Sequence, residues 1–101
     1  MKTFKPGESI TVRPAEEFEL GLEVQAASGY EWQVEEKATG LAVLGSSFEK
    51  PAKDRIGGAS QQKIRLRADR AGRFDLHLVC KRAWEATPSE TLTIEVAVQG
   101  H

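Results

Sequence analysis

Apolar and polar residues alternate along most of this chain. Phe18, Leu20, Leu22 and Val24 alternate with Glu19, Gly21, Glu23 and Gln25. A period of two sends successive side chains to opposite faces, so this segment predicts a strand with one buried face. Ile10 and Val12 give a shorter strand that Pro14 ends. Trp32 and Val34 alternate with Glu31, Gln33 and Glu35, and Ile64 and Leu66 alternate with Lys63, Arg65 and Arg67. Phe74, Leu76, Leu78 and Cys80 alternate with Arg73, Asp75, His77 and Val79. Leu92, Ile94, Val96 and Val98 alternate with Thr91, Thr93, Glu95 and Ala97 at the end of the chain. Leu41, Val43 and Leu44 form one more short apolar segment after Thr39-Gly40.

The segments between predict turns and loops. Residues 1–7 read as an extended lead-in. Ala68-Asp69-Arg70-Ala71-Gly72 predicts a turn, with Gly at a position of positive φ. Ser46 to Gln62 has no clear period and contains Pro51 and Gly57-Gly58, so it predicts a long loop across one end. No helical period is present. The expected fold is all-β, an immunoglobulin-like antiparallel β-sandwich of about seven strands. The Cys…Trp…Cys pattern of antibody domains is missing, so only the architecture carries over.

Composition narrows the function classes. The 101 residues make a single domain, 1–101, the expected organisation. At this size folding buries roughly 60–70% of the unfolded surface, enough for a core without metals or disulfides. The formal net charge of −1 offers no field that would gather nucleic acid or an anionic membrane. No apolar run approaches the ~18 residues of a membrane helix. Met1-Lys2-Thr3-Phe4-Lys5-Pro6 lacks an apolar stretch, so no secretory signal is visible. The expected compartment is cytoplasmic, or periplasmic or secreted if a signal has been removed. Cys80 is the only cysteine, so no intramolecular disulfide can form.

Candidate chemistry sits in three loop signals. Ser28-Gly29-Tyr30 precedes Trp32, Ile56-Gly57-Gly58 follows, and Arg82-Ala83-Trp84 comes last. Each has a plain structural reading: a hairpin turn with an anchoring aromatic, a flexible loop, and a Trp folded back over the core. In a sandwich, however, the loops between strands two and three and between the last two strands share one end. The Gly-Gly loop can join them there. Trp and Arg lead the residues that dominate interface energies, at about 2 kcal/mol or more each. A binding wedge is therefore expected rather than a catalytic centre.

Catalysis and metal binding find little support. His77 and Cys80 are three apart, so on one strand they face opposite ways. Cys80 is expected inside, as a small core residue with an unactivated thiol. His77 and His101 have no further ligands beside them, so no metal and no cofactor is expected. Paired carboxylates such as Glu35-Glu36 adjoin in sequence and point apart on a strand.

The chain resembles the chagasin family of inhibitors of papain-like cysteine proteases. That family carries Asn-Pro-Thr-Thr-Gly-Tyr with a nearby Trp, then Gly-x-Gly-Gly, then Arg-Pro-Trp or Arg-Pro-Phe. This chain has Ala26-Ala27-Ser28-Gly29-Tyr30-Glu31-Trp32, Arg55-Ile56-Gly57-Gly58 and Arg82-Ala83-Trp84 in that order. The resemblance spans roughly Ser9 to Val98 and includes the turn at Ala71-Gly72. It departs in Ala26-Ala27-Ser28, in Arg55 for the first glycine and in Ala83 for proline, and the chain contains no Asn. Loss of that proline is expected to loosen the third loop.

The resemblance implies a reversible, non-covalent inhibitor, not an enzyme, acting as a monomer on a papain-like cysteine protease. It implies protease-binding roles for Ala27, Ser28, Gly29, Tyr30, Ile56, Gly57, Gly58, Arg82, Ala83 and Trp84. The first tip would cover the catalytic cysteine and Gly57-Gly58 would lie along the non-primed side. Arg82 and Trp84 would grip the primed side. The alternative is a non-inhibitory immunoglobulin-like interaction module whose binding surface has drifted. A purely structural β-domain would need a long unprotected edge strand or an apolar outer face. Charges expected on the outside, at Glu19, Glu23, Arg65, Arg67, Asp75 and Glu95, oppose that third reading.

Overall fold

The alternating segments become strands, and their apolar faces meet in one core. The computed structural model describes residues 1–25, 28–36, 40–49 and 60–100. Among these residues the strands are β1 (Lys2–Phe4), β2 (Ile10–Val12), β3 (Glu17–Val24), β4 (Tyr30–Glu36), β5 (Leu41–Glu49), β6 (Ser60–Ala68), β7 (Gly72–Arg82) and β8 (Glu90–Val98). They form two four-stranded sheets, ordered β1-β3-β6-β5 and β2-β8-β7-β4. The fold is an all-β sandwich, with eight strands where about seven were expected.

Burial follows the period of two. Phe18, Leu20, Leu22 and Val24 of β3 meet Leu76 and Leu78 of β7 and Ile94, Val96 and Val98 of β8 in the core. Ile64, Leu66 and Ala68 of β6, Trp32 of β4, Ile10 and Val12 of β2, Leu41 of β5 and Cys80 of β7 belong to it too. Gln62 continues the inward row of β6 and is wholly buried. Its carboxamide accepts from the Trp32 N–H at 2.8 Å and donates to the Trp32 carbonyl at 2.9 Å. Because β6 and β4 belong to different sheets, this pair of bonds ties one sheet to the edge strand of the other.

The lead-in is a strand. β1 pairs with β3 in parallel, Lys2 opposite Phe18 and Phe4 opposite Leu20. β2 likewise pairs with β8 in parallel, whereas the ladders β3–β6, β4–β7, β5–β6 and β7–β8 are antiparallel. A three-residue strand carries too little alternation to be seen alone. Its anchor is tertiary: Phe4 packs edge-on against Phe18, ring centroids 6.1 Å apart.

The long loop is shorter than the pattern predicts. β5 runs on to Glu49 and β6 begins at Ser60, so Ser46–Glu49 and Ser60–Gln62 are paired backbone. β5 is an edge strand whose residues from Val43 onward are exposed, so burial imposes no alternation on it. A register shift between Val43 and Gly45 disturbs the period further. Val43, Leu44 and Phe48 are exposed, and β5 carries a charge only at its end, where Glu49 pairs with Lys63 at 2.7 Å. Val79 departs in the other direction. It lies on the outward row of β7 yet is buried, because Gln33 and Thr91 flank it on the neighbouring strands.

Register fixes which loops share an end. Val24 lies opposite Ser60, Glu49 opposite Gln61, Tyr30 opposite Arg82 and Cys80 opposite Glu90. The connections leaving β3, β5 and β7 therefore all start from the same end of the sandwich. Residues 26–27 and 50–59 lie outside the described residues, and with them Ala27, Ile56, Gly57 and Gly58.

Candidate functional site

The site is built from two strand ends. β3 stops at Val24, and the Gln25 carbonyl accepts the Ser28 N–H at 3.1 Å and the Tyr30 N–H at 3.3 Å. Gly29 takes φ +90°, a conformation that side chains disfavour. Tyr30 then begins β4 directly opposite Arg82, the last residue of β7. Two residues on, the Trp32 indole N–H donates to the Glu23 carbonyl at 3.0 Å, so β4 is pinned back onto β3 just below the loop.

The second loop is closed on both legs. The Arg82 N–H donates to the Glu85 carboxylate at 3.0 Å, and the Glu85 N–H donates to the Arg82 carbonyl at 3.0 Å. On the other leg, the Cys80 carbonyl accepts the Ser89 N–H at 2.9 Å and the Ser89 hydroxyl at 3.1 Å. The Arg82–Glu85 turn directs Trp84 outward, 73% exposed. It is no lid on the core. The missing proline does not leave this turn open, because Glu85 closes it by hydrogen bonding.

Glu85 was not singled out from the sequence, although a signal exists. The same reciprocal turn recurs at Lys5-Pro6-Gly7-Glu8 and Arg13-Pro14-Ala15-Glu16. In each case a basic residue at or just past a strand end is followed three positions on by a Glu that caps its N–H. Gly7 and Ala15 sit at φ +92° and +72°, and Trp84 is absent from the positive-φ residues. The third turn thus keeps the hydrogen bonds while using a backbone that a large ring can adopt.

The two loops touch through side chains. The Arg82 guanidinium lies 4.5 Å from the Tyr30 ring centroid and 5.8 Å from the Trp84 ring. A Cβ on Gly29 would stand 3.0 Å from Trp84 Cη2 and 3.9 Å from Arg82 Cγ. Ser28, Gly29, Ala83 and Trp84 are exposed, while Tyr30 and Arg82 are half-buried. Beside them an open cavity of about 460 Å³ is lined by Val24, Gln25, Tyr30, Cys80, Ser89 and Glu90. The structure thus brings together Ser28, Gly29, Tyr30, Arg82, Ala83 and Trp84.

A family model now decides the classification: that of the chagasin family peptidase inhibitor I42 matches residues 11–98. This chain belongs to the chagasin family. Among curated proteins nothing matches it. Of the solved structures, the solution structure of amebosin superposes with a TM-score of 0.74 at 23% identity, covering 97% of this chain and 97% of that one. The cysteine protease inhibitor EhICP2 from Entamoeba histolytica gives a TM-score of 0.74 at 16% identity, covering 97% of this chain and 96% of its own. At such identities these two establish the fold.

Membership of the chagasin family places the chain among peptidase inhibitors rather than enzymes. Cys80 is buried, and burial pushes its thiol up, with the negative charge of Glu90 adding to the rise and the Ser89 hydrogen bond opposing it. His77 is on the opposite, exposed face, with Nδ1 3.2 Å from the Thr93 hydroxyl.

Proposed function

We propose that this chagasin-family chain is a reversible, non-covalent inhibitor of papain-like cysteine proteases. The loops at one end of the sandwich fill the cleft of the protease as a wedge. The observation that carries this reading is Trp84, 73% exposed yet seated against Gly29 at the loop end of an inhibitor-family fold. An exposed Trp in a fixed position is the residue type that anchors interfaces. EhICP2, of the same fold, is itself described as a cysteine protease inhibitor.

In this reading the tip Ala27-Ser28-Gly29-Tyr30 covers the catalytic cysteine and its histidine without bonding to the sulfur. Gly57-Gly58 runs along the non-primed side as backbone. Trp84 packs on an aromatic surface of the primed side. The wedge works as a monomer and calls on neither nucleic acid nor membrane. Such a contact would bury about 1,600 Å² in all. Loops clamped by strand hydrogen bonds lose little entropy on docking, which is why a sandwich suits the task.

The test is a titration of papain-type activity with the purified protein and a small fluorogenic substrate. Stoichiometric loss of activity at nanomolar to sub-micromolar concentration is expected. Trp84→Ala should weaken inhibition at least about tenfold, the effect of losing an interface anchor. No inhibition of several such proteases at about ten micromolar, a Kd weaker than roughly −7 kcal/mol of binding, would sink the reading. The fold would then serve a drifted interaction surface.

A further inference from the structure

Arg82 stands between two aromatic rings, and its exposure differs from that of its neighbour. Trp84 is 73% exposed, whereas Arg82 is half-buried and its Nε is buried with no hydrogen-bond partner among the described residues. The guanidinium carbon lies over two aromatic rings. The Tyr30 centroid is 4.5 Å away and the Trp84 ring 5.8 Å away. Both lie within the range in which a cation is drawn to an aromatic face. The backbone frames the stack. Tyr30 and Arg82 are direct cross-strand partners, and the Glu85 carboxylate holds the Arg82 N–H at 3.0 Å.

The Trp84 ring also approaches the first loop. Trp84 Cη2 lies 3.0 Å from where a Gly29 Cβ would be, and Cζ3 lies 3.5 Å from it. Only a residue without a Cβ leaves that space free. The indole is therefore confined by Arg82 and by the backbone of Gly29. The arrangement joins the 25–29 loop to the 83–89 loop through three side chains and one glycine.

We propose that Arg82 is a positioning residue: stacked between Tyr30 and Trp84, it holds the indole on Gly29 in the free protein and does not itself carry the contact with the protease. This departs from the role that the family resemblance implies for Arg82, and in its protease arm it rests on the inhibitor reading above. The planar, delocalised guanidinium is the part that matters, so lysine at this position replaces the charge but not the stack. Preorganisation is the benefit: a Trp already in place loses less side-chain freedom on binding.

The test has two arms. In the free protein, NMR follows the ring-current shift of the Gly29 amide and α-protons, and acrylamide quenching follows Trp84, Trp32 being buried. Arg82→Met should reduce the Gly29 shift to less than about half and raise the quenching, with Arg82→Lys close behind, since the stack is lost in both. Trp84→Ala should give the same Gly29 position as the double variant. Unchanged dispersion of the β7 and β8 amides shows that the fold persists. A Gly29 shift unaltered by Arg82→Met would overturn the proposal.

In the protease arm, Arg82→Met should weaken inhibition up to about tenfold in the native background and leave it unchanged in the Trp84→Ala background. An equal loss in both backgrounds would mean that Arg82 binds the protease directly, and would also overturn it. If the unaltered protein inhibits no protease, the proposed function fails, while the free-protein arm still decides whether Arg82 holds Trp84.

Discussion

Replacing Gln62 by leucine should destabilise the fold far more than its change in size would indicate. The side chain is wholly buried, and its two bonds satisfy both polar groups of the Trp32 backbone. Trp32 is on the edge strand β4, where the side away from β7 has no ladder partner. Leucine fills a similar volume, so the cavity cost is small. What remains is a buried N–H and a buried carbonyl with nothing to bond. Each costs about 1–3 kcal/mol, and the gain from burying an apolar side chain returns part of that. The expected net loss is about 2–4 kcal/mol, a large share of the 5–15 kcal/mol typical of a domain. For a chain of this size each kcal/mol moves Tm by about 4–8 °C, so a fall of roughly 8–32 °C is expected. Urea unfolding followed by tryptophan fluorescence and far-UV circular dichroism measures it. Gln61→Leu, one residue along and on the outward row, is the control and should stay within about 0.5 kcal/mol. A loss below about 1 kcal/mol for Gln62→Leu would refute the idea that this carboxamide ties the sheets together.

Three further outcomes are expected. Gly40→Ala should cost about 2–4 kcal/mol in the same unfolding assay, since φ is +111° and the new Cβ would stand 2.6 Å from Phe74 Cε1 and closer still to Cζ; a neutral result would show that Phe74 moves freely. Ala83→Pro should raise stability by about 0.4–1 kcal/mol and tighten inhibition, because the second position of the Arg82–Glu85 turn suits a fixed φ and the Ala83 N–H makes no hydrogen bond among the described residues; a fall in Tm would disprove that turn assignment. For Cys80 the folded thiol keeps its proton longer than the unfolded one, so the folded state binds more protons once pH passes the ordinary thiol value of about 8.5, and stability falls as pH rises. Urea midpoints between about pH 7 and 10 should show this component in the native chain and lose it in Cys80→Ala; identical slopes in both would contradict it.

Most of the sandwich was legible because burial writes itself into sequence as a period of two. β3, β6, β7 and β8 each have one face in the core, and each alternates over most of its length. Where burial does not act, the signal fails. β1 is held by one aromatic contact, three backbone pairings and the Thr3–Glu19 hydrogen bond, and the lower half of β5 by ladder bonds and the Glu49–Lys63 ion pair. Neither leaves a pattern in its own residues. Val79 shows the converse, an outward position buried by the strands on either side.

The site divides along the same line. Gly29, Tyr30 and Trp84 could be picked out because a glycine and two aromatics at strand ends are chemically conspicuous. What sets their geometry was hidden in pairings across the molecule. Gln62 lies 30 residues from the backbone it binds. Glu85 looks like one carboxylate among many until Glu8 and Glu16 are seen closing the same turn. The residues that would meet a protease are thus the visible ones, and the residues that would hold them rigid are ordinary polar side chains. This matters for the altered motifs. Rigidity of the 83–89 loop comes here from Glu85, Ser89 and the Arg82 stack, all of which survive the exchange of proline for Ala83. A loop can lose the residue that usually stiffens it and remain stiff, provided that its hydrogen bonds to the strand ends are kept.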